Sequence, residues 1–272
     1  MPCYFIEKLD AAVQRNDSLV CVGLDPDPTL MPIADIATFN KKIIEATNDL
    51  VCCYKPNIAF YEAAGSAGMY ALRETLDAIP PYIPVIVDAK RGDIGNTSAA
   101  YAKAIFDVLG ADAMTVNAWG GLEAVEPYLE YADKGVIIWC RSSNPSAADF
   151  QDLVTDFEGG RYPMWQVTAM MAQKWNTRGN VGIVMGATYP EQLAEARKMC
   201  PDMPILVPGV GTQAGDLKAA VEAGIRADKA GIIVNASRSI IYASRDKDDY
   251  ELSARAAALR LRDQINAVRY GE

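Results

Sequence analysis

The sequence predicts a (β/α)₈ barrel, a closed parallel sheet ringed by helices. Eight short apolar runs of strand character recur along the 272 residues, and helical patterns lie between most of them. Successive strand starts fall about 22 to 33 residues apart, the size of one β-then-α unit, except for one gap of about 46. A doubly wound sheet also alternates, but it wants a glycine-rich turn after its first strand. Here that turn is Asp25-Pro26-Asp27-Pro28. No composition shift or low-complexity linker divides the chain, so residues 1–272 read as a single barrel domain.

The elements follow in order. Residues 1–16 read as an extra helix ahead of the first strand and covering one barrel end. The strand runs are 19–24, 50–54, 83–87, 113–116, 135–139, 181–185, 205–207 and 231–234; they lack polar alternation, as strands buried on both faces do. Phe39, Ile43, Ile44 and Thr47 repeat at helical spacing before the second strand. Asn96-Thr97 offers an N-cap and Gly110 a stop for a helix with Ala100, Ala104 and Val108 on one stripe. The closing helix spans 249–268, with Leu252, Ala256 and Leu259, then Leu261, Ile265 and Val268, on neighbouring faces. The long gap holds residues 142–162, a polar, Gly/Pro/Ser-punctuated insertion after strand five. On the βα side of a barrel it reads as a lid over substrate.

Composition removes whole classes of chemistry. There is no histidine, which excludes Ser-His-Asp and Cys-His nucleophile systems, His-bearing zinc sites and His proton shuttles. Proton chemistry near neutral pH therefore falls to Lys, Asp, Glu, Tyr or Cys. The six cysteines show no C-x-x-C and read as buried small hydrophobes of a reducing compartment. No run approaches the roughly 18 to 20 apolar residues of a membrane span, and the first ten residues lack a secretion signal's pattern. A cytoplasmic protein with no membrane partner is the expectation. A net charge of −9 argues against a nucleic-acid surface.

Charge gathers where strands end. Asp88 closes an apolar strand, where an unpaired carboxylate is costly to bury, and Lys90 leaves the strand on the same side and can pair with it. Asp93 follows a glycine that lets the chain turn, so two carboxylates and an ammonium can gather at one barrel mouth. That is where barrels keep their catalysis. Strand one ends in Asp25 and strand two is followed by Lys55-Pro56-Asn57. Asp25, Lys55, Asp88 and Lys90 thus form a ring of alternating charge that keeps its members ionised and fixed. After strand seven comes Pro208-Gly209-Val210-Gly211-Thr212-Gln213, and after strand eight Ser237-Arg238 and a short helical segment from Ser239. Exposed backbone N–H groups and an arginine make a phosphate site there. Ser142 and Ser143 supply hydroxyls for polar substrate groups, whereas Trp119 and Trp139 read as packing residues.

The run Asp88-Ala89-Lys90-Arg91-Gly92-Asp93-Ile94-Gly95-Asn96-Thr97 resembles the D-x-K-x-x-D-I-x-x-T signature of the orotidine 5′-monophosphate decarboxylase family. The resemblance covers the whole chain: Leu24-Asp25, Lys55-Pro56-Asn57, Ser142-Ser143-Asn144-Pro145, the 208–213 loop and Ser237-Arg238 all match in barrel order. The length and the S-S-N-P loop look like the longer bacterial branch. It implies that Lys90 protonates C6 of the pyrimidine and that Asp88 sits beside the departing carboxylate. Lys55 would bond within the charge array and to ribose, and Asp25 and Asn57 would contact ribose. Ser142 and Ser143 would reach the base, and Gln213 and Arg238 the phosphate, with Pro208 and Ser237 on the same two loops. Asp93, Ile94 and Thr97 would enter the site of the other subunit of a homodimer. The resemblance implies a nucleotide substrate, a step of pyrimidine biosynthesis, and no metal or organic cofactor. Two rivals share features: sister sugar-phosphate lyases and aldolases carry the D-x-K-x-x-D core, and a non-catalytic barrel could bind nucleotide. The lyases usually hold Mg²⁺ with an added carboxylate where this chain has Lys55.

Overall fold

Eight buried segments pair as parallel strands in a computed structural model that describes residues 5–209 and 214–271. They are β1 (Val20–Gly23), β2 (Cys53–Lys55), β3 (Ile86–Arg91), β4 (Ala113–Val116), β5 (Gly135–Arg141), β8 (Val181–Met185), β9 (Ile205–Pro208) and β10 (Ile232–Ala236). β6 (Val154–Phe157) and β7 (Gly160–Pro163) form a separate antiparallel hairpin. The parallel order is β2-β1-β10-β9-β8-β5-β4-β3, and alternating helices make it a (β/α)₈ barrel. The seam between β2 and β3 closes through two bridge pairs, Tyr54 with Val85 and Asn57 with Asp88. There Tyr54 N–H donates to Pro84 O at 3.1 Å and Asp88 N–H to Pro56 O at 2.9 Å. The absence of alternation has its expected meaning: β1, β4 and β8 are buried at every residue.

Two strands differ from the sequence reading in a way that matters. β3 continues through Asp88 and Lys90 to Arg91, and β2 is displaced forward to include Lys55, so these charges lie on strands rather than after them. β3 also bulges: its register with β4 shifts between Val87 and Arg91.

The helix Ile36–Thr47 is capped by Asp35, whose carboxylate accepts the Thr38 N–H at 2.7 Å, and it buries Phe39, Ile43, Ile44 and Thr47 as predicted. The helix after β3 needs correction. It starts at Gly95, ahead of the expected cap, and passes into a π-helical turn at Lys103–Val108 before Gly110 ends it at φ +76°. Its buried face carries Ser98, Ala102, Ile105 and Phe106, while Ala100, Ala104 and Val108 face outward. In the closing helix, Tyr250–Tyr270, Leu252 and Leu259 are exposed and Ala254, Ala257 and Ala258 are buried, because small side chains let this helix approach the barrel closely. Leu261 and Ile265 do face inward.

The N-terminal helix, Phe5–Asn16, buries Phe5, Leu9, Ala12 and Val13. Phe5 lies where a side chain on Gly135 would be, and Lys8 pairs with Asp112 at 2.8 Å, so the helix covers the start of β4 and β5. The insertion after β5 contains a 3₁₀ turn (Pro145–Ala147), a helical turn (Ala148–Gln151) and the β6–β7 hairpin, which packs beside the helix Met164–Trp175. Glu158 and Gly159, both at positive φ, make its two-residue turn. Cys21, Cys52, Cys53, Cys140 and Cys200 are free and buried; Cys3 lies outside the described residues. No helix among the described residues is long and apolar enough to cross a membrane.

Candidate active site

Strand ends at the closing seam bring the charges together. Lys55, the last residue of β2, donates from Nζ to Asp88 Oδ2 at 2.8 Å, and Lys90 Nζ donates to Asp88 Oδ1 at 2.6 Å. The Thr115 hydroxyl on β4 donates to the same Oδ1 at 2.8 Å, so one carboxylate joins two ammonium groups and a hydroxyl. Burial opposes ionisation of Asp88, but Lys55 and Lys90 outweigh it and hold the carboxyl well below the usual carboxylate range. Burial likewise opposes the charge on Lys55, and the Asp88 and Asp25 carboxylates reverse this and push its pKa above the usual ammonium value. With Lys55 and Asp88 exposed by only 4% and 7%, water screens this array weakly.

Lys90 reaches Asp88 by an unusual backbone. Its φ is +46°, the left-handed region that non-glycine residues rarely occupy, and its N–H donates to Thr115 Oγ1 at 2.9 Å. Simple strand alternation therefore gives the right pairing by the wrong route: the bulge, rather than period two, places Lys90 beside Asp88. Gly92 also differs from its expected role. A Cβ there would lie 2.1 Å from Asn117 O, so the residue permits close approach of the loop after β4.

The array opens into a cavity of about 220 Å³ lined also by Thr115, Trp139, Ser142, Ser143, Asn144, Val184, Leu206 and Pro208. Lys90 Nζ stands 5.8 Å from the centroid of the Trp139 ring, which makes Trp139 a wall of the charge site as well as a packing residue. Trp119 does not pack: it is 78% exposed. Asp25 Oδ1 accepts the Asn57 N–H at 3.1 Å, and Asn57 Oδ1 caps the helix Ile58–Ala63. Arg141 anchors the insertion. Fully buried at the end of β5, it donates to Ser142 O, Gln151, Asp152 and Gln192 at 3.0–3.1 Å, and Gln151 accepts the Ser142 N–H at 2.9 Å. Ser142, Ser143 and Asn144 reach the charge cavity; the hairpin instead borders an apolar groove with Trp119, Trp139 and Trp165.

A second cavity of about 590 Å³ is lined by Asp25, Asp27, Gly209, Asn235, Ser237, Arg238 and Tyr242, among others. Gly23 makes room for Ser237: a Cβ there would sit 1.8 Å from Ser237 Oγ. Tyr242 is stacked on Phe39 and its hydroxyl donates to Asp25 O at 2.9 Å while accepting the Asp27 N–H at 2.6 Å. Burial pushes that phenol up to about 12, so it stays a donor. Arg238 is exposed and opens the short helix Arg238–Ile241. Gln213, with residues 210–212, lies outside the described residues.

Asp93 does not join the cluster within one chain. It is exposed, with its carboxylate on the Ile94 N–H at 2.7 Å, and it lines neither cavity, nor do Ile94 and Thr97. The Ser98 hydroxyl ties this loop down, accepting the Asp93 N–H at 3.1 Å and lying within hydrogen-bond distance of Asp93 O and Ala124 O. Among residues that sequence reasoning passed over, Thr115 carries a readable signal: it is the one hydroxyl in the apolar run 113–116, where a buried polar group needs a partner. Arg141 carries a similar one. Asn235 carries one too, a polar residue closing the apolar run 231–234, whereas Tyr242 has none, since only the folded barrel brings it to the cavity.

Comparison with known proteins gives a consistent result. A family model described as "Orotidine 5′-phosphate decarboxylase / HUMPS family" matches residues 18–252. A relative named orotidine 5′-phosphate decarboxylase from Thermomicrobium roseum is 52% identical over 272 residues, covering 97% of this chain and 96% of the relative. One of the same name from Cupriavidus metallidurans is 46% identical, covering 98% and 99%. The solved structure of Leishmania donovani OMP decarboxylase superposes with a TM-score of 0.86 at 40% identity, covering 98% of this chain and 99% of that one.

Proposed function

The chain belongs to the orotidine 5′-phosphate decarboxylase / HUMPS family, and we propose that it is a carboxy-lyase converting orotidine 5′-monophosphate to uridine 5′-monophosphate and CO₂ in pyrimidine biosynthesis. The observation that carries this reading is the Lys55–Asp88–Lys90 chain, buried at Lys55 and Asp88 and half-buried at Lys90, at the mouth of the 220 Å³ cavity. Breaking the bond from C6 to the carboxylate leaves an electron pair on a ring carbon with no adjacent sink. A fixed ammonium stabilises that charge as it forms. Lys90 Nζ then gives its proton to C6 and is reprotonated from solvent. Asp88 stands beside the departing carboxylate and Lys55 keeps it ionised. Against the related sugar-phosphate lyases stands Lys55 itself, an ammonium bonded to Asp88 where a metal site would want a further carboxylate.

The remaining roles are carried over from the family resemblance, residue by residue. Asp25 and Asn57 hold ribose with Lys55, Ser142 and Ser143 hold the base, and Pro208 closes the cavity wall. Ser237 and Arg238, with Gln213, take the phosphate, whose binding energy and closure of the insertion lower the barrier at the distant pyrimidine. The active form is a cytoplasmic homodimer in which Asp93, Ile94 and Thr97 enter the partner's site. Supporting this is a run of outward apolar residues beside Asp93: Ile94 is 73% exposed and Val108 57%, with Ala100 and Ala104 between them on the same helix. Mixing the protein with orotidine 5′-monophosphate should bleach the orotate absorbance with formation of uridine 5′-monophosphate, unaffected by chelator. A folded dimer inert towards this substrate would contradict the reading.

A further inference from the structure

Among the described residues, Thr115 is the side chain hydrogen-bonded to both halves of the Asp88–Lys90 pair. Fully buried on β4, it accepts the Lys90 backbone N–H at 2.9 Å and donates its only hydroxyl proton to Asp88 Oδ1 at 2.8 Å. The first bond matters because Lys90 sits at φ +46°, within the bulge where β3 loses register with β4. A lysine persists in that conformation only where its surroundings hold it there, and the usual ladder partner of its N–H is replaced here by the threonine side chain. The second bond fixes the carboxylate plane. With Oδ1 held by Thr115 and Lys90 and Oδ2 by Lys55, rotation of the Asp88 carboxylate would break bonds on both sides. Threonine suits both tasks, since its β-branch restricts χ1 and so aims the hydroxyl.

We propose that Thr115 is a positioning residue for the decarboxylation, setting where Lys90 Nζ points by holding the lysine backbone in the left-handed region while orienting Asp88. This rests on the decarboxylase reading. It acts through the two charged groups and not by its own chemistry, so its loss should appear in the chemical step more than in binding. A displacement of about 1 Å at a reacting group is enough to cost roughly 10²-fold in rate.

The test compares Thr115→Val, which keeps the shape and loses both hydrogen bonds, with Thr115→Ser and Thr115→Ala in the same assay as the unmodified enzyme. The expected result for Val is a fall in kcat of about 10²-fold with KM and uridine 5′-monophosphate affinity within about threefold, and for Ser a recovery to within about fivefold of the unmodified rate. If the Val chain fails to fold, Ala carries the same expectation, and the ratio of Ser to Ala decides. Val or Ala turning over within about threefold of the unmodified enzyme overturns the inference, as does a loss confined to KM. An unmodified enzyme inert towards orotidine 5′-monophosphate would instead remove the decarboxylase reading, so the two failures are distinct.

Discussion

The two ends of the site are built differently. At the end proposed for the pyrimidine, Lys55, Asp88 and Thr115 are buried on adjacent strands and joined by bonds of 2.6–2.9 Å, including the one from Lys90. At the end proposed for the phosphate, Arg238 is exposed on a short helix and Ser237 is half-buried, with an open cavity of about 590 Å³ in front of them. The difference follows from what each must do. Charge that stabilises a transition state has to be in place before the reaction, because reorganising it then adds to the barrier. A group that captures a dianion from water has to stay accessible, and a loop can order around it afterwards. Arg141 is a buried cation of a third kind, tying the insertion to the end of β5.

Substitution at the pyrimidine end should therefore damage chemistry and stability together. Asp88→Asn is expected to lower kcat about 10³-fold and to cost about 3 kcal/mol in stability by leaving Lys55 and Lys90 without their counter-charge. The pH dependence has a definite sign. Because the folded Asp88 carboxyl titrates below its ordinary value of about 3.9, the stabilisation is complete above that value and is lost as pH falls through the lower, folded one. Lys55 titrates above its ordinary value, so its share persists until pH rises past about 10.4. The advantage of the unmodified protein over Asp88→Asn in chemical denaturation should be flat from pH 5 to about 9 and narrow as pH approaches 2. A difference that instead narrows between pH 7 and 5 would show that Asp88 is not held ionised.

At the phosphate end the same experiment should separate binding from folding. Arg238→Ala is expected to raise KM at least about tenfold with thermal stability unchanged, since an exposed arginine contributes little to folding but a charge-assisted contact to phosphate. A fall in melting temperature comparable to that of Asp88→Asn would erase the contrast between the ends. Smaller still is the effect expected on mixing Asp93→Asn chains with Lys90→Ala chains. Under full subunit exchange, activity should return to about one quarter of the unmodified level, because half the dimers are mixed and one of the two sites in each is intact. No recovery would place Asp93 outside the partner's site.

The same contrast governs what the sequence made legible. The barrel could be read because buried parallel strands are apolar throughout, and Lys55, Asp88 and Lys90 could be read because charge at the end of such runs has to be paired; Asp25 leaves the expected ring, bonding the Asn57 N–H and making no ion pair among the described residues. The stripe Ala100–Ala104–Val108 failed because alanine fits either face, and the π-helical turn that follows alters which residues point inward. Leu252 and Leu259 failed for a related reason: closeness of packing favoured the smaller alanines of that helix. Asp93 sits near Lys90 in sequence but stays outside the cluster, where its loop is tied to Ser98 and Ser98 in turn meets Ala124 O, a long-range contact that spacing does not encode. The left-handed backbone at Lys90 was equally invisible, since nothing in Asp88-Ala89-Lys90 marks a bulge.

The most direct measurement is on Lys90. Single-turnover decarboxylation of orotidine 5′-monophosphate by Lys90→Ala, with uridine 5′-monophosphate affinity measured on the same preparation, tests whether the buried array performs the chemistry. The expected result is a rate lower by more than about 10⁴-fold with product binding still measurable. A rate within tenfold of the unmodified enzyme would remove Lys90 from the mechanism and with it the assignment of the reaction to this charge cluster.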